Sequence, residues 1–504
     1  MKISFKLFAL IFLYGFFILP NFTNAQYLAS DLLGQLDGSD NPVFTTNAAN
    51  NGSGTVNEKG FSTLLRGVTL DSVHHRLFVM DTGNNRILIF NLDDGNNLID
   101  RVADYVLGQP DFVTNTFNTT QNGLGTPQMQ AYDSTNDRLF VTDVNNNRLL
   151  VFDTSIITNG MNAVYVLGQP DFVTNTATTT ASGMSAPAGV AYDENHDRIF
   201  VADRVNQRVL VFNVNSITNG MNASYVLGQT DFVTATSGLT QNKLTNPQVG
   251  LAYDAENDRL FLTDTGNRRI LVFDFTSGIT DGMNASYVLG QVDFTTSAAA
   301  TTTQNGISAA IRGVAYDTVN ENLFVVDGNN SRVLIHDVSP ATISNGQNAV
   351  AVIGQTNFTG ATTGTTQQTL NLPFGISFNS NNNRIYVDDL SNRRVMIFNF
   401  VQLSTTNPSN ATQDTVYSQS LSTTQNQGTV TYAVTSGALP DGLALNTTTG
   451  EISGTPTLAG SYDFTVQATD DNGAIGSFVS QPQEYTLLVE EPRSSSSGSR
   501  PSRA

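Results

Sequence analysis

One short string recurs six times along this chain of 504 residues and constrains its fold more than any other feature. The string is Asp-x-x-Asn-x-Arg, and consecutive copies begin 60 to 63 residues apart. A fixed period of this kind indicates one repeated supersecondary unit whose neighbours bury a shared core. The Asp and Arg residues of the six copies are Asp81 and Arg86, Asp143 and Arg148, Asp203 and Arg208, Asp264 and Arg269, Asp327 and Arg332, and Asp389 and Arg394.

The residues around each string predict the structure of the unit. In the second copy, short runs rich in β-branched and aromatic residues flank the string at 138–142 and 148–152, which is typical of a hairpin. A further strand precedes them at 130–133 and another follows at 165–169. Four antiparallel strands per unit are typical of a propeller blade. The chain is therefore predicted to be all-β, with a six-bladed β-propeller.

The outermost strand of the blade predicts how the ring closes. A strand ending in Gly-Gln follows the first five hairpins, as at 165–169, but none follows the sixth. The missing copy is Asp-Leu-Leu-Gly-Gln at 31–35, ahead of the first blade. An N-terminal strand that completes the last blade would close the ring and remove an exposed sheet edge.

These residues resemble a known repeat. The Asp-x-x-Asn-x-Arg hairpin, preceded by a strand such as Gly-Val-Ala-Tyr-Asp at 189–193, resembles the NHL repeat over roughly residues 27–400. The units are longer than is usual for that family because of inserts such as 155–162. The resemblance implies an NHL-type propeller domain, which we assign to 26–404. Propellers host both binding proteins and enzymes, so the fold alone does not decide the function.

The first 25 residues have the layout of a secretory signal peptide. A basic start is followed by an apolar run from Leu7 to Leu19, with Thr23 and Ala25 in the −3 and −1 positions of a cleavage site. The run is short for a bilayer span, which needs about 20 residues. We therefore expect a secreted, periplasmic or cell-surface protein with no transmembrane segment after cleavage.

The repeat ends near residue 404 and a second domain is predicted at 405–492. Its Leu-Pro-x-Gly-Leu and Thr-Gly-x-Ile-x-Gly-Thr-Pro strings, within 439–456, resemble the Ig-like and dystroglycan-type cadherin-like families. Alternating apolar and polar residues at 462–468 predict a half-buried strand. The resemblance implies an Ig-like β-sandwich. The Ser-rich residues 493–504 are predicted to be a disordered tail.

A candidate calcium site lies in this second domain. Asp470, Asp471 and Asn472 resemble the calcium edge of cadherin-type domains, where carboxylate and amide oxygens bind the ion. A plain hairpin turn is the alternative interpretation of the same residues. The expected function requires no cofactor, and Ca²⁺ is the candidate ion.

The recurring Asp and Arg residues are predicted to be scaffold, because a residue required in every blade serves the blade itself. Specificity is expected where the repeat varies. The position before the Gly of the innermost strand carries Arg66, Gln128, Arg312 and Phe374 in four of the six blades. Two arginines, an amide and an aromatic ring at the mouth of the channel could bind a carboxylate or a sugar.

The sequence therefore favours a non-catalytic binding or adhesion protein, monomeric, with an extracellular protein or glycan as its ligand. The net charge of −19 argues against nucleic acid as a partner. The absence of Cys excludes thiol catalysis. His74, His75 and His196 are predicted in turns away from the hairpins and do not converge as a zinc site would require. The alternative is a calcium-dependent lactonase-like or lyase-like propeller enzyme, since carboxylates are plentiful.

Overall fold

The computed structural model describes residues 26–298 and 302–493. The predicted signal peptide and the predicted tail beyond residue 493 lie outside the described residues. In the described part the helices are short 3₁₀ turns, and no helix there is long and apolar enough to cross a membrane. These turns are Ala49–Gly52, Thr82–Asn84, Val144–Asn146, Thr265–Asn267, Gly328–Asn330, Leu390–Asn392 and Gly473–Ile475.

Six antiparallel sheets of four strands each form the blades of a propeller. From the innermost strand outward, their bounds are as follows. Blade 1 comprises Gly67–Asp71, Arg76–Asp81, Arg86–Asn91 and Tyr105–Leu107; blade 2, Pro127–Asp133, Arg138–Asp143, Arg148–Asp153 and Tyr165–Leu167; blade 3, Pro187–Asp193, Arg198–Asp203, Arg208–Asn213 and Tyr225–Leu227. Blade 4 comprises Pro247–Asp254, Arg259–Asp264, Arg269–Asp274 and Tyr287–Leu289; blade 5, Ile311–Asp317, Asn322–Asp327, Arg332–Asp337 and Ala351–Ile353; blade 6, Ile376–Asn379, Arg384–Asp389, Arg394–Asn399 and Asp31–Leu33.

The sixth blade is completed by the N-terminal strand. Asp31–Leu33 pairs antiparallel with Arg394–Asn399, with Leu32 opposite Met396. The innermost strands of neighbouring blades contact one another around the ring, including those of blades 6 and 1. The all-β, six-bladed fold and its closure by an N-terminal strand, both predicted from the sequence, are confirmed.

The core lies between the blades. In blade 1 all six residues of the second strand, Arg76–Asp81, are buried. Side chains of neighbouring blades pack into shared clusters, as where Phe200 and Val211 of blade 3 pack with Leu260 and Leu271 of blade 4. Stacked sheets cover both faces of each central strand, which explains why these strands lack regular polar alternation.

The Asp and Arg of each repeat form an ion pair with no solvent exposure. In blade 2, Arg148 Nε donates to Asp143 Oδ2 at 2.8 Å. The same oxygen accepts from Asn146 Nδ2, and Asp143 Oδ1 accepts from the Gly125 N–H. Burial raises the pKa of the Asp143 carboxyl and the charge of Arg148 opposes that rise. Both carboxylate oxygens are thus hydrogen-bonded, one within the hairpin and one to the loop that precedes the blade.

The rest of the guanidinium group binds two loops. Arg148 Nη1 donates to the Phe172 carbonyl of the loop that follows the blade. Its Nη2 donates at 2.9 Å to the carbonyls of Thr120 and Gly123, in the loop that precedes the blade. One side chain therefore ties a hairpin to the segments on both sides of it, and this explains why Arg recurs in every blade.

Blade 6 shows the same bonds, but one of the two loops comes from the N-terminal end of the chain. Arg394 Nη1 donates to the Phe44 carbonyl at 2.6 Å, so the N-terminal segment supplies the loop that follows other blades. Arg101 also binds Asp31 of the closing strand through two nitrogens, at 2.9 and 2.7 Å. The N-terminal segment thus closes the ring through side chains as well as strand pairing.

The Ig-like domain is a β-sandwich that packs against blades 5 and 6. Phe478 stacks on Phe400 with centroids 5.0 Å apart, and the ring of Tyr27 lies 4.3 Å from that of Phe478. Its strands are Ala411–Thr412, Tyr417–Ser420, Thr423–Thr424, Thr429–Gly437, Leu443–Leu445, Glu451–Gly454, Gly460–Asp471, Ser477–Val479 and Gln483–Glu490, and Gln402–Leu403 of the connecting segment pairs with Thr423–Thr424.

Arg148→Met is expected to reduce the free energy of unfolding by about 3–5 kcal/mol, because Asp143 would stay buried without its cation. Denaturant unfolding monitored by tyrosine fluorescence measures the loss. Lys59→Met is the control, since Lys59 and Asp40 form a partly exposed surface pair, and it should change the unfolding midpoint far less. Equal effects of the two substitutions would contradict a scaffold role for the repeat.

One core position departs from the repeat. His336 stands at the end of the third strand of blade 5, where the other blades carry Phe90, Phe152, Phe212, Phe273 and Phe398. The imidazole is fully buried, and neither ring nitrogen has a hydrogen-bond partner among the described residues. Burial lowers the pKa of His336 to about 4.

His336→Phe is expected to stabilise the protein by about 1–3 kcal/mol near pH 7, because two buried polar atoms are removed. Without the substitution, His336 takes up a proton near pH 6.5 in the unfolded chain but only near pH 4 in the folded protein. Stability is therefore lost as the pH falls through this window, by about 3 kcal/mol. Unfolding curves at pH 7 and pH 4 should show the advantage of the variant widening at low pH. The reciprocal change Phe212→His should introduce the same pH dependence, and a constant difference would contradict the interpretation.

Candidate ligand site at the channel mouth

Two arginines and a phenylalanine meet at one mouth of the central channel, on the face that carries the Asp-x-x-Asn-x-Arg hairpins. Arg66 of blade 1 and Arg312 of blade 5 each place Cζ 5.1 Å from the ring centroid of Phe374. Phe374 belongs to blade 6, which lies between blades 5 and 1, so the closed ring brings the three together. The geometry is that of cation–π contacts.

A third arginine, which the sequence reasoning missed, belongs to the same mouth. Arg204 directly follows the repeat Asp of blade 3, where the other blades carry Thr82, Val144, Thr265, Gly328 and Leu390. Burial first, and then the charges of Arg312 and Arg204, hold the pKa of Arg66 below its ordinary value. Arg204 could have been found from the sequence, because the position after the repeat Asp varies as much as the position before the Gly of the innermost strand.

These three charges have no carboxylate partner within 26–298 and 302–493, unlike the arginines of the repeat. Arg312 Nη1 donates to the Gln248 side chain at 2.5 Å. The Nε atoms of Arg66 and Arg204 are buried and lack partners among the described residues. Like charges gathered without counter-ions, in a chain of net charge −19, form a local positive field that attracts anions.

The other predicted residues have different surroundings. Gln128 is buried, with 4% exposure, and is not part of the arginine contacts. Phe374 is also 4% exposed and belongs to one apolar cluster with Ala188 and Val249, which lie in blades 3 and 4. The ring of Phe374 lies against both arginines and positions them.

The opposite half of the channel is a cavity of about 390 Å³ lined by residues of all six innermost strands. Much of its wall is small or apolar, as at Val68, Ala131 and Val314, and its volume lies within the usual range for ligand pockets. The charged groups that could orient a ligand are concentrated at the other mouth.

A buried carboxyl lies close to the channel in blade 6. Asp388 is fully buried, and neither carboxylate oxygen has a partner among the described residues. At the same position of blades 2 and 4, the hydroxyls of Thr142 and Thr263 bond to the innermost strand. Burial raises the pKa of Asp388 to about 8.

The predicted calcium residues are engaged in a turn. Asp470 is fully buried and accepts from the N–H groups of Gln427 and Gly428 at 2.9 and 2.7 Å. Asn472 Nδ2 donates to the Asp470 carbonyl. Asp471 is exposed, and neighbouring side chains on a strand point to opposite faces. The turn therefore does not bring the two carboxylates together, and calcium binding here stays a prediction.

A group of metal-ligating type lies between blades 3 and 4, formed by Asp193, His196 and Asp258. Arg198 occupies its centre. Its Nη2 lies 2.6 Å from Asp193 Oδ2, 3.1 Å from Asp258 Oδ1 and 3.0 Å from His196 Nδ1. A guanidinium group in that position leaves no room for a cation. His196 lies in the turn between the first two strands of its blade, as predicted.

Comparisons with protein families identify both parts of the chain. A family described as "NHL repeat" matches residues 184–212, and one described as "Putative Ig domain" matches residues 399–490. The predicted NHL-type propeller and Ig-like domain are confirmed. No curated protein matches the chain.

The solved structures that match this chain are distant from it in sequence. A structural genomics protein of unknown function from Bacteroides thetaiotaomicron VPI-5482 is 14% identical, with a TM-score of 0.45 over 74% of this chain and 76% of that one. An auxiliary nutrient binding protein from the same organism is 11% identical, with a TM-score of 0.44 over 74% and 76%. A chain of a nidogen/laminin complex is 17% identical, with a TM-score of 0.35 over 55% and 77%.

Asp388→Thr is expected to stabilise the protein on the order of 4 kcal/mol at pH 7. The folded-state pKa is raised above the unfolded value, so the native Asp costs stability that grows as the pH rises from about 4 to about 8. Thermal unfolding across this range should show the advantage of the variant growing with pH. Asp153→Thr, at an exposed strand end, is the control. An advantage independent of pH would contradict the raised pKa of Asp388.

Proposed function

We propose that this chain, an NHL-type six-bladed propeller with a C-terminal Ig-like domain, is a secreted or cell-surface binding protein without catalytic activity. Its ligand is an acidic carbohydrate or an acidic protein segment held at the hairpin-side mouth of the channel. The observation that carries the proposal is the meeting of Arg66, Arg204 and Arg312 with no carboxylate partner in the described residues.

Arginine suits the recognition of carboxylates. Its planar group presents a fixed fork of donors that matches a carboxylate in two parallel hydrogen bonds. The three arginines come from blades 1, 3 and 5, so alternate blades around the ring contribute one charge each. A ligand with more than one acidic group could therefore engage several blades at once.

Binding is favoured over chemistry by the nature of these groups. An arginine side chain stays protonated at any working pH, so it can hold and orient an anion but cannot act as a general base. Phe374 and Gln248 position the guanidinium groups without adding an acid or a base. The predicted signal peptide and the Ig-like neighbour domain support an exported, modular protein.

Arg66→Ala with Arg312→Ala tests the site. Calorimetric titration of the full protein with oligogalacturonate and with an oligoglutamate peptide should show binding that weakens by at least about tenfold in the double variant. The affinity of the native protein should also fall with added salt, because the contact is between charges.

Arg268→Ala is the matched control. Arg268 lies on a hairpin of the same face, but it bonds the Ser297 carbonyl of a loop and lies outside the Phe374 contacts. This variant should bind both probes as the native protein does. If neither acidic probe binds the native protein, or if the double variant binds unchanged, the proposed site is wrong.

A further inference from the structure

A second buried ion pair recurs on the side of the propeller opposite the hairpins, and blade 5 lacks half of it. In blades 1 to 4 the Asp that ends the innermost strand binds the Arg that begins the second strand, with N–O distances of 2.5 to 2.6 Å. The pairs are Asp71–Arg76, Asp133–Arg138, Asp193–Arg198 and Asp254–Arg259. In blade 5 the Asp is kept as Asp317, but Asn322 replaces the Arg.

The aromatic half of the same arrangement is also kept in blade 5. In blades 1 to 4 each of these guanidinium groups lies 5.6 to 5.8 Å from the ring of the Phe two residues later. In blade 3 a second ring, that of Phe275, lies at 5.8 Å. Blade 5 has the corresponding rings, Phe324 and Phe400, with centroids 6.0 Å apart. A carboxylate and two aromatic faces therefore remain where the cation is missing, and we call this the blade-5 cation seat.

The seat opens into a cleft of about 630 Å³ between blades 5 and 6 and the Ig-like domain. Asp317, Phe324 and Phe400 line it from the propeller side and Phe478 from the Ig-like side. Glu321, Asp337 and Asp471 add carboxylates, and no Lys, Arg or His is among the described residues that line it. The cleft is therefore acidic, with an aromatic wall.

Asp317 is held by neutral groups. Asn320 Nδ2 donates to it at 2.9 Å, and the Ig-like domain presents Gln481 Nε2 at 3.3 and 3.4 Å from its two oxygens. Burial raises the pKa of Asp317, and the nearby amides oppose that rise only in part. A cationic donor would supply the shorter, charge-assisted hydrogen bond that the Asp has in blades 1 to 4.

The Ig-like domain holds the cleft in shape. Gln467 Nε2 donates to the Asn320 side chain at 2.9 Å, and Asn383 Nδ2 of blade 6 donates to the Val479 carbonyl at 3.0 Å. A backbone bridge joins Ala351 to Gly476. These bonds fix the wall that carries Phe478, so the cleft is a preformed feature of the two domains.

We propose that this cleft binds an organic cation with a guanidinium group, such as an arginine side chain of a peptide, in the blade-5 cation seat. The guanidinium bonds the Asp317 carboxylate and lies against Phe324 and Phe400, as Arg198 of blade 3 bonds Asp193 and lies against Phe200 and Phe275. The volume of the cleft suits a ligand of the size of a short peptide segment. This site takes cations and is separate from the arginine site at the channel mouth.

Agmatine is the probe, and its urea analogue N-carbamoylputrescine is the matched control ligand, because it has a neutral urea in place of the guanidinium group and keeps the ammonium group. Calorimetric titration of the full protein should show agmatine binding and at least about tenfold weaker binding of the analogue. Asp317→Asn should weaken agmatine binding by at least about tenfold. If agmatine does not bind the native protein, or if the analogue binds equally well, the proposal is overturned.

Asn322→Arg provides a test that does not depend on losing a buried group. It restores the arginine of blades 1 to 4, so the side chain should fill the seat, raise the melting temperature and abolish agmatine binding. The variant with Arg66→Ala and Arg312→Ala should bind agmatine as the native protein does, which separates the two sites. Agmatine binding that persists unchanged in Asn322→Arg would overturn the proposal.

Discussion

The buried Asp–Arg pair of each hairpin is the interaction on which the rest of the propeller depends. A guanidinium group has five donors, and in blade 2 the four bonds of Arg148 reach a carboxylate and three loop carbonyls. Removing either partner would leave a charge buried without compensation, which is far more costly than losing a surface pair. The chain has no Cys, so these ion pairs and the apolar packing between blades hold its long loops.

Both proposed sites arise where single residues depart from the repeat. At the hairpin face, Arg66, Arg204 and Arg312 stand at varying positions and have no acidic partner in the described residues. On the other side of the ring, Asn322 leaves Asp317 without its cation. Six near-identical units give the ring its rigidity, and single departures then create an unbalanced charge of either sign. The Ig-like domain covers blades 5 and 6, beside one of these departures, and turns it into a cleft.

Most of the fold could be predicted from the repeat in the sequence. The outermost strand is missing after the sixth hairpin, and its copy at 31–35 predicted that the N-terminal segment closes the ring. In the structure, Asp31–Leu33 pairs with the third strand of blade 6. At the channel mouth Arg66, Arg312 and Phe374 meet, whereas Gln128 is buried apart from them, and ligand binding by these residues stays a prediction. Arg204 was missed because only one varying position of the repeat was considered. The contacts of Phe374 with both arginines could not be read from the sequence, because the three residues belong to different blades.

The sequence alone determined the number of blades, the closure of the ring and the residues that hold each hairpin, because these follow from local patterns repeated in register. Only the tertiary structure decided which departures from the repeat lie together. Arg66 and Arg312 are 246 positions apart, yet both contact Phe374 because the closed ring places blade 6 between blades 5 and 1. Likewise, the sequence shows that Asn322 stands where blades 1 to 4 carry Arg, but the cleft beside it exists only because the Ig-like domain packs there. Spatial convergence depends on how distant segments pack, and no local pattern encodes that.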